Sequence, residues 1–501
     1  MRRPEARPAG HPRLGLLSAL LAAALFVPLA ARADSDQRSG DRATSTGEIR
    51  FHASVTPFRH GEKEARADFS IRVPYRQIRF IPENDRYSAK LRITVEMWNK
   101  SGKRAGYLQR EAILQSTDVY AARDSLLGEI YTLGLAVPPG VYTFRVLVED
   151  MNMDRMGFVY KMKGQKRQGE VTGTVDMGPW LFKNPALSGL LFAWDVEPRS
   201  EGSPFARGPY DVMPQPSGYF GHFQEAVSVY YELYDDPPPT GGALRLVETW
   251  IFSASGDTMF TSVDSLRISE GTGWPHAMSI DTSEFPGGHY WITLRVKDER
   301  GSTAESRGDF DVLWALDSWR PDAADLYEVT ASTLMPSDSV LVFRSLSMGD
   351  KERWVERLWR DSDPTPDTAD NELRDEFLRR VNYANNHYSI FGRGMFSDRG
   401  RVYIRYGEPD DVKDERVPVG SKTLGYNLDK IPLQSQKQIT DTTDGTADDR
   451  AYEIWTYDMK GKELVPRFGM NEISSGLKFV FVDNQGYGDY ILDYSSTTSI
   501  H

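Results

Sequence analysis

The chain has 501 residues, with 60 Lys and Arg against 72 Asp and Glu, a formal net charge of −12, and no cysteine. An acidic chain without a basic stripe is not expected to bind nucleic acid or anionic lipid. The absence of cysteine excludes disulfides, thiolate metal sites and a lipid anchor on cysteine. A chain of this length is predicted to hold about three domains.

Residues 1–33 have the pattern of an export signal. Several arginines precede an apolar run from Leu14 to Leu29, and Ala31-Arg32-Ala33 supplies the small-x-small pattern of a cleavage site. The run is shorter than the roughly 20 apolar residues that span a bilayer, so a membrane anchor is the weaker alternative. We expect cleavage between Ala33 and Asp34, export to the periplasm, cell surface or extracellular space, and no transmembrane segment afterwards.

Residues 34–47 are polar and are predicted to form a flexible leader. From residue 48 the pattern becomes that of β-strands, because apolar and polar residues alternate from Phe69 to Tyr75 and again from Leu91 to Met97. Such alternation gives each strand one buried and one solvated face, as in antiparallel sheets. Residues 48–180 are therefore predicted to form an immunoglobulin-like β-sandwich.

A second all-β region is predicted over residues 186–315, and it repeats a pattern of the first. PPGVYTFRVLVED, with Gly140 and Tyr142, matches PGGHYWITLRVKD, with Gly288 and Tyr290, in the spacing of glycine, tyrosine, apolar residues and a final acid. We interpret both segments as the penultimate strand of an immunoglobulin-like sandwich, one in each domain. A chance similarity between two ordinary strands is the alternative.

Residues 318–501 have a mixed pattern that predicts an α+β domain. Residues 352–360 and 371–388 place apolar residues three and four apart, as amphipathic helices do. They are followed by an acidic loop (440–449), the strand AYEIWTY and a final hairpin. The complete fold class predicted is two all-β immunoglobulin-like sandwiches followed by an α+β C-terminal domain.

The segment GMFSDRGRVYIRYGEPDDV, residues 394–412, concentrates charged and turn-forming residues around a short alternating run. Ser397 and Asp398 can close a turn on backbone amides, and Gly400 can bend the chain into a strand from Arg401 to Tyr406. Gly407 would end that strand. The residues of interest in this segment are Gly394, Ser397, Asp398, Arg399, Gly400, Arg401, Gly407, Glu408 and Pro409.

Three separated blocks resemble the GWxTD domain of bacterial secreted proteins. They are LWRDSDPTPDTADNELRDEFLRRVNYAN, DRGRVYIRYGEPDDV and YEIWTY, within residues 345–495. The pentapeptide that names the family is degenerate here, as GMFSD at residues 394–398, with Met395 in place of tryptophan. If that tryptophan stacked on a ligand, this chain would lack the platform. The resemblance identifies the domain and implies no established activity.

The acids of this segment allow two interpretations. Glu408 with Asp398 or Asp410 could form the carboxylate pair of a glycosidase. Alternatively, the acids hold turns and pair with Arg401 or with arginines of the helix predicted over 371–388 (Arg374, Arg379, Arg380), and this structural interpretation is preferred because turn chemistry accounts for every residue.

Other chemistry is not indicated. The chain has 8 histidines, and they lack the paired spacing of a zinc site, so no cofactor and no metal site is expected. The spacing of Asp441, Asp444, Asp448 and Asp449 does not fit a calcium loop.

Two classes of function therefore remain. The preferred one is a secreted or periplasmic non-enzymatic binding or scaffold protein with a protein or glycan partner at the cell envelope. The alternative is a carboxylate-dependent hydrolase of cell-wall or extracellular polysaccharide.

Overall fold

A computed structural model gives the fold of most of the chain. The residues that the structure describes are 42–83, 85–117, 127–152, 167–236, 242–269, 271–320, 322–368, 370–390, 393–420, 423–424, 450–458, 463–464 and 476–497. Ala33, Asp34 and the acidic loop 440–449 lie outside these ranges. The described chain is mostly β-sheet, and its α-helices lie in the C-terminal part.

Residues 42–177 form what we name the first β-unit. Its strands are β1 (Arg42–Thr44), β2 (Thr46–Gly47), β3 (His52–His60), β4 (Glu64–Pro74), β5 (Ile81–Glu83), β6 (Arg86–Asn99), β7 (Arg104–Ser116), β8 (Gly128–Val137), β9 (Gly140–Asp150) and β10 (Gln168–Met177). One sheet has the order β1-β3-β4-β8, and the other has the order β2-β10-β9-β6-β5 with β7 paired to β6. Phe69 from the first sheet and Val95 from the second belong to one buried core.

The prediction of a flexible leader over residues 34–47 is wrong at its C-terminal end. β1 pairs antiparallel with β3, and β2 pairs with β10. Polar composition misled the prediction because these two short strands are held by backbone pairing and by the ion pairs of Arg42. Neither interaction requires an apolar side chain. Residues 34–41 lie outside the described ranges.

Residues 186–313 form the second β-unit. Its strands are β11 (Ala186–Leu187), β12 (Leu191–Pro198), β13 (Ala206–Arg207), β14 (Tyr210–Pro214), β15 (Tyr219–Gly221), β16 (Ala226–Tyr234), β17 (Ala243–Ser253), β18 (Thr258–Ile268), β19 (Gly273–Asp281), β20 (Gly288–Lys297) and β21 (Thr303–Leu313). One sheet contains β11, β16, β12, β14 and β13, with β19 paired to β16, and the other has the order β15-β21-β20-β17-β18. A second core lies between these sheets and includes Val229 and Ile292.

The two β-units share a pairing pattern. The ladders β3-β4-β8 and β10-β9-β6-β7 of the first unit correspond to β12-β16-β19 and β21-β20-β17-β18 of the second. Tyr142 lies on β9 and donates its hydroxyl hydrogen to the carbonyl of Pro138 at 2.6 Å. Tyr290 lies on β20 and donates to the carbonyl of Pro286. The sequence repeat therefore marks the same strand, with the same tyrosine anchor, in both units.

The C-terminal unit, residues 316–497, places helices against one antiparallel sheet. The helices are α1 (Ala323–Leu334), α2 (Ser337–Ser345), α3 (Met348–Asp361), α4 (Glu372–His387) and α5 (Asp398–Tyr406), and the strands are β22 (Asp411–Glu415), β23 (Tyr452–Tyr457), β24 (Leu477–Asp483) and β25 (Tyr490–Ser495). The sheet has the order β22-β23-β24-β25. Val402 and Tyr406 of α5 contact the core on this sheet, and Ile404 contacts the core that includes Phe377 of α4.

The strand predicted from Arg401 to Tyr406 is wrong, because these residues form most of α5. Alternation over so few residues fits either structure when both faces are covered, and here helices cover one face and the sheet covers the other. The residues that flank this run indicate a helix more clearly than the run itself does. Ser397 is a favoured N-cap residue, and Gly407, with a φ of +80°, is a favoured residue just past a helix end.

Candidate functional site

Residues 394–412, which we name the family-like segment, contain a helix cap at Ser397. The Ser397 hydroxyl oxygen accepts a hydrogen bond from the Gly400 amide at 3.0 Å, which satisfies one of the free amides of the first turn of α5. The same hydroxyl donates to the Gly394 carbonyl at 2.7 Å. Serine keeps the hydroxyl of the family's threonine, and here that hydroxyl serves to start a helix.

Gly394 and Gly400 are required by close packing. A Cβ atom on Gly394 would lie 1.9 Å from the Ala384 carbonyl oxygen of α4. A Cβ atom on Gly400 would lie 1.8 Å from the Gly394 carbonyl oxygen. The backbone of Gly400 thus packs directly against that of Gly394, and the backbone of Gly394 packs directly against α4. The expected role of Gly400 as a bend into a strand is wrong, since it lies inside a helix and its constraint is contact distance.

Asp398 connects α5 to the last strand. One of its carboxylate oxygens accepts a hydrogen bond from the Leu492 amide of β25 at 2.7 Å, and the other pairs with Arg401. The register of β24 and β25 shifts next to Leu492. Asp398 therefore satisfies a backbone donor at an irregular point of the sheet edge, and its side chain is engaged by structural contacts.

Arg399 crosses from α5 to the sheet. Its guanidinium donates to the Glu453 carboxylate at 2.8 Å and to the Gly488 carbonyl at 3.2 Å. It lies between the rings of Tyr388 and Tyr490, at 5.1 and 4.4 Å from their centroids. Charge pairing and ring contacts on both sides hold this partly buried cation in one position.

The C-terminal end of α5 is closed by a buried arginine of α4. Arg380 donates to the carbonyls of Ile404 and Arg405, both at 3.2 Å, and so satisfies carbonyls that the last turn leaves free. Its charge is balanced by Glu376 at 2.6 Å. The hydrogen bond from Arg379, followed by that from Arg380, lowers the pKa of Glu376 to about 2.

Of the two acids proposed to pair with Glu408, Asp398 is separated from it by α5, and Asp410 lies at the same end of the helix. Asp398 opens the helix and Glu408 follows its end, so a rise of 1.5 Å per residue places them roughly 12 Å or more apart along its axis. Glycosidase pairs are about 5 to 9.5 Å apart. Glu408 is exposed and follows buried Gly407, while Asp410 accepts a hydrogen bond from the Asp458 amide at 2.5 Å.

The arginines expected to pair with these acids differ in their partners. Arg401 pairs with Asp398, as expected. Arg374 pairs with Asp317 at 3.2 Å, and Arg379 pairs with Glu376. The structure therefore brings Ser397, Asp398 and Arg401 together at one end of α5, and it places Glu408, Pro409 and Asp410 at the other.

Met395, in the position of the family's tryptophan, lies in the core. Its side chain is 2% exposed and packs with Phe377 and Ile404, and its amide donates to the Asn385 side chain at 3.0 Å. A residue so placed has no face available for stacking on a ligand. In this chain the position is occupied by a core side chain.

Sequence reasoning missed an exposed apolar surface beside the segment. We name it the motif patch, and its members are Ile390, Phe396 and Tyr487, each at least 42% exposed. The Arg399 guanidinium donates to the Gly488 carbonyl next to Tyr487. A Cβ atom on Gly488 would lie 3.3 Å from Ile390, so the turn before β25 lies beside the residues that lead into α5. The available signal was Phe396, the variable position of the pentapeptide, which is large and apolar and directly precedes the polar Ser397 and Asp398.

The described residues give no indication of a metal site or a membrane span. Within those ranges, no group of three or more His, Asp or Glu side chains could hold a metal ion. Over the same part of the chain, no helix combines the length and apolar character needed to cross a bilayer.

Comparison with known proteins identifies the C-terminal part. Residues 341–419 match the family model of the GWxTD domain, so the chain contains a GWxTD domain there and the resemblance seen in the sequence is confirmed. This match includes α3, α4, α5 and the pentapeptide. No curated protein matches the chain.

Solved structures are similar only at a low level. Red sea bream transglutaminase is 6% identical with a TM-score of 0.15, and the match covers 55% of this chain and 31% of that protein. Bacteroides uniformis beta-glucuronidase 2 is 10% identical with a TM-score of 0.18, over 50% of this chain and 27% of that protein. The chain spans a third or less of the length of these proteins, and such low scores support no conclusion about it.

Proposed function

We propose that the chain is an exported, non-enzymatic binding protein of the cell envelope. In this proposal residues 48–180 and 186–315 are immunoglobulin-like sandwiches, and residues 318–501 are a GWxTD-type recognition domain. The shared strand pairing supports the sandwich assignment, as does a tyrosine bonded to a carbonyl four residues earlier, which is typical of such domains. The pattern of residues 1–33 supports export.

The observation that carries the proposal is how the family-like segment uses its polar side chains. Ser397, Asp398 and Arg399 all contact other parts of the C-terminal unit. These structural contacts occupy their polar atoms and support a structural role for the three side chains. At the same end of α5 the segment leaves Phe396, a member of the motif patch, exposed.

The chemistry of the motif patch favours a protein partner. It combines two aromatic side chains with one aliphatic side chain, and aromatic residues within an apolar centre are typical of the buried part of protein interfaces. We therefore propose that the patch contacts a protein at the envelope, and a glycan partner is the other outcome that the experiment must distinguish.

Site-specific crosslinking in cells tests this assignment. A photoreactive amino acid replaces Phe396 or Tyr487, and in the control it replaces Ile113, which is 66% exposed on β7 of the first β-unit. We expect a protein adduct of defined mass from positions 396 and 487 and none from 113. Adducts from 113 alone would contradict the proposal, and adducts that a glycosidase removes would identify a glycan.

The hydrolase alternative has no comparable support among the described residues. Asp398 lies at the opposite end of α5 from Glu408 and is engaged by Leu492 and Arg401. Asp410 accepts a hydrogen bond from the Asp458 amide. Glu408 is the acid that a hydrolase would have to use, and a substitution at that position is the corresponding test.

A further inference from the structure

Asp311, near the end of β21, is a buried acid contacted by all three units. His289 of β20 lies 3.0 Å from its carboxylate through Nδ1. The Gly349 amide, at the start of α3 in the C-terminal unit, donates to the same oxygen at 3.3 Å. Arg42, on β1 of the first β-unit, lies 3.9 Å from the other oxygen. One carboxylate therefore connects three parts of the chain that are distant in sequence.

The Arg42 side chain packs closely against residues of the second β-unit. Its guanidinium donates to the Ser217 carbonyl at 2.8 Å and pairs with Asp309. Gly218 lies against it, with a φ of +62°, and a Cβ atom there would lie 1.8 Å from the guanidinium. Both the conformation and the space require glycine at this position.

His289 and Asp311 form an ion pair only when His289 carries a proton. Protonated His289 also lies 3.8 Å from Asp309 through Nε2, beside the pair of Arg42 with Asp309, so loss of the proton removes one cation from a largely buried cluster. The other titratable groups close to these residues are Tyr219, Asp350, Lys351, Arg353 and His52.

The directions in which the pKa values of His289 and Asp311 differ from their ordinary values agree with this ion pair. Burial lowers the pKa of His289, but the hydrogen bond and charge of Asp311, with the charge of Asp309, outweigh burial, and the pKa is raised. Burial raises the pKa of Asp311, but His289 and Arg42 outweigh it, and that pKa is lowered.

We infer that Arg42, His289, Asp309 and Asp311 form a proton-dependent latch that holds the first β-unit and the C-terminal unit on the second. Loss of the proton from His289 loosens the latch, so the position of the GWxTD domain relative to the β-units depends on pH. This conformational device is independent of which partner the motif patch binds.

The direction of the pH effect follows from linkage. A histidine with a folded-state pKa above its unfolded value of about 6.5 stabilises the folded arrangement fully below that value. The contribution is lost as pH rises through the folded-state pKa. The latch should therefore be closed in mildly acidic solution and loosen in alkaline solution.

Energy transfer between two dyes on the full chain measures the latch directly. The chain has no cysteine, so Lys100→Cys in the first β-unit and Asn386→Cys in the C-terminal unit, both exposed, provide unique labelling positions. We expect transfer to change as pH rises from 5.5 to 9, with a midpoint above 6.5. His289→Gln should abolish this titration, and His60→Gln, at an exposed histidine of the first β-unit, should preserve it.

A second measurement is needed because latch variants could also impair folding. The ring proton of His289 in the otherwise unchanged chain, assigned by its loss in His289→Gln, gives the titration midpoint by NMR. A midpoint at or below 6.5 would overturn the inference. So would a transfer profile that is flat in the wild-type chain, or one that titrates equally in His289→Gln.

Discussion

The two β-units and the C-terminal unit are stabilised in different ways. In the β-units, stripes of apolar residues on successive strands fill a core, and Tyr142 and Tyr290 repeat one anchor. Around α5, by contrast, single side chains and glycines each have one specific contact, such as Gly400 on Gly394 and Asp398 on Leu492. Substitutions within the apolar stripes of the β-units should therefore be tolerated more often than at equivalent burial around α5.

The largest effect is expected at Gly400. In Gly400→Ala the added methyl would lie 1.8 Å from a carbonyl oxygen of the backbone, so the segment before α5 must move and its cap must break. We expect a loss of about 3 kcal/mol or more in the free energy of unfolding, at the upper end of overpacking. Chemical denaturation of the full chain measures it.

The matched control for Gly400→Ala is Gly140→Ala at the start of β9. There a Cβ atom would lie 3.3 Å from a ring carbon of Tyr142, and a ring can shift by a few tenths of an ångström. The expected cost is below about 1 kcal/mol. Equal losses at the two glycines would show that the contrast between the units is wrong.

Asp398 should give the next largest effect. Asp398→Ala leaves the Leu492 amide without its acceptor and removes the partner of Arg401. We expect a loss of about 1–3 kcal/mol in the free energy of unfolding, with faster amide exchange at Leu492. Glu111→Ala on β7, which removes an exposed ion pair with Lys90 and Arg92, should cost less than Asp398→Ala, because solvent screens exposed ion pairs. A larger loss at Glu111 would contradict this ranking.

This difference between the units also explains how far the sequence could predict the structure. Alternation predicted strands that include Phe69, Leu91 and Val229, because a period of two places a whole stripe in the core. The helix α5 was missed because its short apolar run fits either period and its caps, Ser397 and Gly407, were assigned to turns. No sequence pattern indicates that Asp398 would reach Leu492, because that contact depends on the packing of distant segments.

A reciprocal exchange between the β-units tests whether their cores are equivalent. Val95 lies opposite Val146 in the first β-unit, and Thr249 lies opposite Leu294 in the second. Val146 and Leu294 are equivalent, because each follows the anchoring tyrosine of its unit by four residues. Thr249 is fully buried, and among the described residues its hydroxyl has no hydrogen-bond partner. Val95→Thr should lose about 1–3 kcal/mol, by burying a polar group without a partner.

The reverse exchange, Thr249→Val, should be neutral or should stabilise the chain by up to about 1 kcal/mol, because it removes a buried hydroxyl and keeps the volume. Thermal unfolding of both variants checks the pair. A destabilised Thr249→Val would mean that the hydroxyl has a partner, and that the second core depends on a specific polar contact as α5 does.

The smallest effect is expected at Glu408, which also separates the two proposed functions. Its side chain is exposed, so Glu408→Gln keeps the shape, loses only a solvated charge and should change the free energy of unfolding by less than about 0.5 kcal/mol. Crosslinking from position 396 should be unchanged, because Glu408 lies beyond the end of α5 that is far from the motif patch.

The wild-type chain and the Glu408→Gln variant are also incubated with a panel of envelope polysaccharides, and neither is expected to release sugar. If the wild-type chain does release sugar and Glu408→Gln does not while its unfolding curve is unchanged, Glu408 is a catalytic residue and the hydrolase replaces the binding protein. Glu408 would then have a catalytic role although the neighbouring side chains of the segment have structural roles, and the contrast between the units would not hold at this position.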